Sequence, residues 1–259
     1  MKPTTLKVLL GTMAITGLMV LGAYLHYAKI NASEDPRVAQ SKKNMHYLSK
    51  LLEERDYPQC FQLLKTIEAD LSSLEAYEKS YEMGVVHNDR ASIHLIQVEE
   101  AILISSDAGK IPEKAILEAS LNQALESSQK SIAIYETWQE QYQDKSLEEL
   151  EKEFIDYFPK DDPALVDRDI EAILKRRVVD TKMALKENHR RVSVAYTNLA
   201  LAYKYKGNYD EAVAFYEKAL ELWPENLHAT NNLRTLQGQK RIERSIIDKV
   251  FPPERNKGL

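Results

Sequence analysis

Two kinds of hydrophobic pattern divide the chain. Val8 to Ala28 reads VLLGTMAITGLMVLGAYLHYA and holds no Lys, Arg, Asp or Glu. At about 1.5 Å per residue such a run spans roughly 30 Å of hydrocarbon. From about Val38 onward apolar residues recur at three and four, the period of a helix with one buried face. Met45, Leu48, Leu51 and Leu52 mark a first helix. Asp56-Tyr57-Pro58 interrupts, and Cys60, Leu63, Leu64 and Ile67 mark a second, giving a pair over 38–70. A third helix is expected over 73–105, a loop at 106–110, and a long helix over 112–142 with Pro112 in its first turn. Ser146-x-x-Glu149 is a capping box opening a short acidic helix. Asp162 and Pro163 suit the cap and first residue of a helix over 163–187. The last helix is expected over 227–250, before a polar tail at 251–259.

The stretch Ser193 to Asn226 carries the most specific pattern. It reads SVAYTNLALAYKYKGNYDEAVAFYEKALELWPEN. Large and small residues alternate at fixed spacings: Tyr196, Leu199, Ala200, Tyr203, Gly207, Ala212, Tyr216, Ala219 and Pro224. This segment resembles one tetratricopeptide repeat, a helix–turn–helix unit of about 34 residues. The residue types have physical reasons. Ala200, Ala212 and Ala219 let two antiparallel helices approach closely, and the aromatic rings fill the gaps around them. Gly207 can take the left-handed conformation that ends the first helix, and Pro224 stops the second. One such pair cannot bury its apolar face alone, so stacked neighbours are expected. Tyr57 and Cys60 fall where Tyr209 and Ala212 fall later, which makes 38–70 a degenerate repeat without the usual glycine. His87 to His94, with Ala91 as the small residue, resembles a first helix. Asn232-Leu233 lies about 34 residues after Asn198-Leu199, so 227–250 resembles the helix that closes a stack. The expected fold is all-α: a superhelix of helical hairpins over 38–250, preceded by one transmembrane helix within 1–30 and a linker at 31–37.

Composition agrees with this reading. There are few glycines (8 in 259 residues), and Leu, Ala, Glu and Lys dominate. The net charge of -5 includes no basic excess, so nucleic acid is not an expected partner. The single cysteine, Cys60, excludes an internal disulfide framework and reads as a small buried hydrophobe. The apolar run has two readings, an uncleaved signal anchor or a cleaved signal peptide. It is long for a signal peptide. Ile30-Asn31-Ala32 and Val20-Leu21-Gly22 are mediocre cleavage sites, and no cysteine follows for lipid attachment. Lys2 and Lys7 precede the run, Tyr24, Tyr27 and Lys29 close it, and Arg37, Lys42 and Lys43 follow. The lysine and arginine count does not fix orientation. The expectation is a single-pass protein of a bacterial inner membrane with its repeat domain in the periplasm; a soluble periplasmic or secreted form is the alternative.

The search for chemistry returns little. No Gly-rich phosphate loop, Gly-x-Ser-x-Gly or His-Glu-x-x-His is present. His87 and His94 are seven apart with Glu99 and Glu100 nearby, a weak metal pattern better explained as polar positions on a repeat helix. The acidic run Glu148, Glu149, Glu151 and Glu153 reads as a solvated face. Catalysis, a cofactor, a metal or a small-molecule substrate is therefore not expected. The resemblance implies a scaffold that binds a peptide or helix of a partner protein on its concave face, in envelope assembly for instance; an enzyme or an accessory subunit of one, and a structural envelope protein that self-associates, are the other readings. First-type helices line that face in the family. The resemblance thus places Val194, Thr197, Asn198, Leu201, Lys204 and Tyr205 there, with Asn231 and Asn232 from the terminal helix. An asparagine side chain can both donate to and accept from an extended backbone.

Overall fold

The computed structural model describes residues 12, 15–24, 27, 32–107 and 114–243. Among these, every regular element is helical, with no strand. The elements from residue 39 on are α1 (Ala39–Glu53), α2 (Tyr57–Ser72), α3 (Glu75–Glu78), α4 (Tyr81–Asp107), α5 (Lys114–Tyr142), α6 (Leu147–Phe154), a 3-10 turn (Ile155–Tyr157), α7 (Ile170–Lys186), α8 (Asn188–Tyr205), α9 (Tyr209–Leu222) and α10 (Leu227–Leu236). They build three antiparallel hairpins, α1–α2, α4–α5 and α8–α9, stacked in that order with α10 against the last. The segment α6–α7 is an insertion. It packs on the far end of α5, so α8 lies against the α4–α5 hairpin.

Of the uncharged run Val8–Ala28, residues 15–24 are described and helical; the remainder falls largely outside the described residues. Leu18, Met19 and Val20 on this stretch are exposed. Among the described residues no helix is long and apolar enough to cross a membrane. The expected Pro112 turn and most of the loop before it also fall outside the described residues.

The first hairpin turns as the best-defined repeat does. Gly207 has φ +83°, and Arg55 at the matching position has φ +58°. The hydrogen bonds match: Gly207 N to Lys204 O (3.0 Å) and Asn208 N to Tyr203 O (3.0 Å), against Arg55 N to Leu52 O (3.1 Å) and Asp56 N to Leu51 O (3.0 Å). An arginine thus takes a left-handed position that costs a non-glycine residue about 1–2 kcal/mol. Asp56 helps hold it by capping α2, accepting from Gln59 N at 3.1 Å. Cys60, at the small position, is fully buried.

Three boundaries differ from the sequence reading. The expected helix 73–105 breaks at Ser80, after the single turn α3. Arg177 donates to the Ala76 carbonyl (2.8 Å), while Ser80 donates to Tyr77, through N–H at 3.1 Å and hydroxyl at 2.8 Å. The expected helix 163–187 begins only at Ile170. Asp162 accepts from Ala164 N and from Arg37 instead of starting a helix. Asp167 has φ +61°, and Asp169 is the residue that caps α7, accepting from Ala172 N at 3.0 Å. The terminal helix stops at Leu236, not near 250. Gly238 has φ +70° and repeats the Gly207 pattern, with Gln239 N donating to Arg234 O at 2.8 Å. The Ser146–Glu149 capping box is present in full.

Small residues set the hairpin distances. In α4–α5, Gly84 lies against the Tyr135 ring, and the Ser131 hydroxyl donates to the Gly84 carbonyl at 2.8 Å. In α8–α9, Ala200, Ala212 and Ala219 are fully buried around Tyr216. A Cβ on Gly84 would meet Tyr135 ring carbons at 2.4–2.8 Å, and Tyr135 is only 2% exposed. Alanine gains about 1 kcal/mol of helix propensity over glycine, less than overpacking a tight core commonly costs. Gly84→Ala should therefore destabilise the fold by about 1–3 kcal/mol in urea denaturation. A neutral or stabilising result would mean the α4–α5 hairpin is looser than described.

Candidate functional site

α8, the first helix of the last hairpin, lies beside α4, the first helix of the hairpin before it. α8 runs parallel to α4 in a constant register. Asn198 Nδ2 donates to Ser92 Oγ (2.9 Å) and to Asn88 Oδ1 (3.0 Å). One heptad on, Tyr205 Oη donates to Glu99 Oε1 at 2.7 Å. The pairs Ser92–Asn198 and Glu99–Tyr205 share one sequence separation, 106 residues. Burial, the hydrogen bond to Glu99 and its charge all raise the Tyr205 phenol's pKa, in that order. Leu201 and Tyr205 pack onto the cluster of Leu95, Val98, Leu121, Ala124 and Ala202.

The expected face residues therefore divide. Asn198, Leu201 and Tyr205 are half-buried and engaged with α4 or its cluster. Thr197 is buried. Its hydroxyl donates to Ser193 O at 2.8 Å and accepts from Asn226 Nδ2 at 2.9 Å. Asn226 also donates to Ser193 Oγ (2.9 Å) and caps α10 by accepting from Ala229 N (3.1 Å). This closed network holds α10 on the repeat. Val194, Lys204 and Asn232 are half-buried. Among the described residues Lys204 has no hydrogen bond or ion pair, but its Nζ lies 5.3 Å from the centre of the neighbouring Tyr205 ring. Its pKa is lowered, chiefly by burial and further by Arg241, with Glu99 opposing.

Asn231 is occupied by the chain itself. Its Nδ2 donates to Ile242 O at 3.0 Å, and its Oδ1 accepts from Ile242 N at 2.6 Å. One helical turn further, Arg234 Nε donates to Lys240 O at 2.7 Å. After Gly238 the chain thus returns along α10.

The sequence reading missed the α4 half of this face: Asn88, Ser92 and Glu99, with Asp89 beside them. The i, i+4, i+11 spacing of Asn88, Ser92 and Glu99 was its available signal. Asp89 has no hydrogen bond or ion pair among the described residues. Burial raises its carboxyl to about 6. His87 and His94 do not meet in a metal site; among the described residues no group of three His, Cys, Asp or Glu side chains could hold an ion. His87 Nδ1 accepts from Arg90 (3.2 Å), its Nε2 lies 3.7 Å from Glu68, and burial lowers its pKa. His94 stacks on Phe61 with centroids 4.4 Å apart, and burial pushes it down to about 4. Apart from this face, a cavity of about 200 Å³ opens between α3, α5, α6 and α7, lined by Trp138, Tyr142, Phe154, Tyr157 and the buried Arg177.

Residues 193–226 match the family model described as tetratricopeptide repeat. The matched segment contains most of α8 and the whole of α9, the hairpin around which the face is built. Neither a curated protein nor a solved structure matches the chain.

Asp89 gives the fold a pH signature. Its folded pKa lies above the unfolded value, so its ionisation opposes folding at neutral pH. The protein is relieved of that cost as pH falls from about 6 toward the unfolded carboxylate range. His94 acts the other way: its stability contribution is full above its unfolded pKa near 6.5 and falls as pH drops toward about 4. Asp89→Asn should raise stability at pH 7 by about 1–2 kcal/mol, allowing for partial solvent screening. At pH 3.5 the gain should largely vanish. Equal gains at both pH values would show that Asp89 is not held in its neutral form by the fold.

Proposed function

We propose that the chain is a membrane-tethered scaffold for protein–protein interaction, which receives an extended or helical segment of a partner on the face lined by α4, α8 and α10. The observation that carries this reading is the tetratricopeptide match over 193–226, a repeat whose stacks serve as interaction modules. The face supplies the chemistry a peptide requires. It offers amide side chains that donate and accept, a lysine without an ion-pair partner among the described residues, and apolar surface beside them. The uncharged run at 8–28 supports the tether, and its length suits a bilayer. Our reading of localisation is a bacterial inner membrane with the repeat domain on the periplasmic side. We read the scaffold as non-catalytic.

The tether is tested by alkaline extraction of native membranes. The intact chain should remain in the pellet, and a mature N-terminus near Ala23 or Ser33 would show a cleaved signal instead. The face is tested by cross-linking pull-down with Lys204→Ala/Asn232→Ala. Partner capture should fall about five-fold or more, equivalent to roughly 1–3 kcal/mol, while the melting temperature moves by less than about 2 °C. Asn198→Ala should instead cost about 0.5–1.5 kcal/mol of stability, because that amide ties α8 to α4. Undiminished capture by the Lys204/Asn232 variant would place the partner elsewhere.

A further inference from the structure

The cavity between α3, α5, α6 and α7 takes no part in the partner face: none of its lining residues belongs to α8 or α10. Its volume of about 200 Å³ is below the roughly 300–1,000 Å³ of pockets for drug-sized ligands, which suits a single functional group on a short stem. One wall is aromatic. Trp138, Tyr142, Phe154 and Tyr157 follow one another with ring centroids 6.0, 5.5 and 5.9 Å apart. The first three are buried and Tyr157 is half-buried, so Tyr157 is the ring most open to an entering group. Lys145 already lies 5.1 Å from the centre of Tyr142, but among the described residues no cation lies over Phe154 or Tyr157.

The mouth is rich in unfilled acceptors. Glu75 and Glu78 are exposed, and among the described residues their carboxylates make no hydrogen bond or ion pair, although Lys79 follows them. Gln141 Nε2 donates to Tyr142 Oη (2.9 Å) and to Glu153 Oε1 (3.1 Å), while its amide oxygen has no partner among the described residues. The donors of the lining are largely used. Arg177 gives its terminal nitrogens to Glu82 and to the Ala76 carbonyl, and its Nε is buried. Glu82 compensates its charge. What remains in the lining is two acids against Lys79. A guanidinium fits that balance, with five N–H donors, no acceptor and a flat face that stacks on aromatic rings. A carboxylate does not, because Glu75 and Glu78 repel it.

We propose that this cavity binds a guanidinium group on a short carbon stem, with its N–H donors on Glu75, Glu78 and Gln141 and its stem and flat face against Tyr142 and Tyr157. The guanidinium belongs to a free guanidine compound or to an arginine side chain of a protein segment. The site is separate from the face of α4, α8 and α10 and does not rest on the reading of that face.

Titration calorimetry of the full chain in detergent compares N-butylguanidine with N-butylurea, a neutral molecule of nearly the same shape. The guanidine should bind about ten-fold or more tightly than the urea. Glu75→Gln/Glu78→Gln should erase most of that preference while moving the melting temperature by less than about 2 °C, since both side chains are exposed and unpaired among the described residues. Lys79→Gln should strengthen guanidine binding about three-fold, by removing the cation that opposes it. Tyr157→Leu should weaken it about three-fold, by removing the open ring. The blocked peptide acetyl-Gly-Gly-Arg-Gly-Gly-amide separates the two sources. If it binds with the same dependence on Glu75 and Glu78, the site takes an arginine side chain; if N-butylguanidine binds and the peptide does not, the occupant is a free guanidine compound. Equal affinity for guanidine and urea, no binding of the guanidine, or a guanidine preference that survives Glu75→Gln/Glu78→Gln would each overturn the proposal.

Discussion

Everything after residue 188 depends on how closely α8 can lie against the α4–α5 hairpin. That approach is allowed by what the helices lack. Ala124 on α5 and Ala195 and Ala202 on α8, all fully buried, leave little side chain between backbones. Close packing alone would permit sliding, since apolar contact is non-directional. Directional bonds fix the register. Asn188, fully buried, donates to the Tyr135 carbonyl (3.1 Å) and to Gln139 Oε1 (2.7 Å). Asn198 and Tyr205 repeat the lock at heptad spacing along α4. The same side chains that align the stack therefore occupy much of the face a partner would touch. A single helix cannot use one amide for both tasks, so the proposed recognition falls to Lys204 and Asn232.

The insertion α6–α7 is attached by apolar packing in the main core and oriented by charge. Arg177 is 5% exposed and bonds Glu82 through two nitrogens (2.5 and 3.4 Å) and the Ala76 carbonyl, with its guanidinium 4.2 Å from the Tyr77 ring centre. Although burial favours the neutral acid, the adjacent guanidinium holds the Glu82 carboxyl below its usual range. The pair therefore supports the fold above the ordinary carboxylate pKa, and that support is lost as pH falls through Glu82's lower folded value. Desolvation offsets much of the attraction, so the pair specifies one docking of α7 on α4 more than it adds net stability. Arg37 performs a similar task at the other end, joining Asp35 (2.9 Å) to Asp162 (3.1 Å) across the surface of Phe158. These charges explain why the insertion can sit between α5 and α8 in sequence without entering the stack.

The fold was legible wherever one helix dictates its own pattern. The α8–α9 hairpin could be read residue by residue because a fixed-spacing pattern reports packing within the unit. The α1–α2 turn was legible from Tyr57 and Cys60 even though Arg55 replaces the glycine. What could not be read were the positions decided by distant residues. The break at Ser80 depends on Arg177 taking a carbonyl one hundred and one residues away. The late start of α7 depends on Arg37 drawing Asp162 away from a capping role. On the face, the stripe Asn198–Leu201–Tyr205 was legible from helical spacing, but its engagement with α4 was not. That engagement needs the lateral pairing of two helices separated by the insertion.

The end of α10 uses the same turn that joins α1 to α2 and α8 to α9. Gly207 and Gly238 end their helices with the same left-handed residue and the same pair of backward hydrogen bonds. After Gly207 the chain has Asn208 and Tyr209, then the acids Asp210 and Glu211 that suit a helix N-terminus, and α9 follows. After Gly238 it has Gln239, Lys240 and Arg241, cations where a helix start favours acids. Residues 239–243 accordingly extend along α10 instead of forming a second helix against it. Among the described residues α10 has no second helix of its own repeat. In its place, Asn231 and Arg234 bond the backbone of residues 240 and 242. Residues 240–242 are thus held on α10 by polar contacts, while α8–α9 is closed by fully buried alanines and tyrosine and cannot be opened without unfolding.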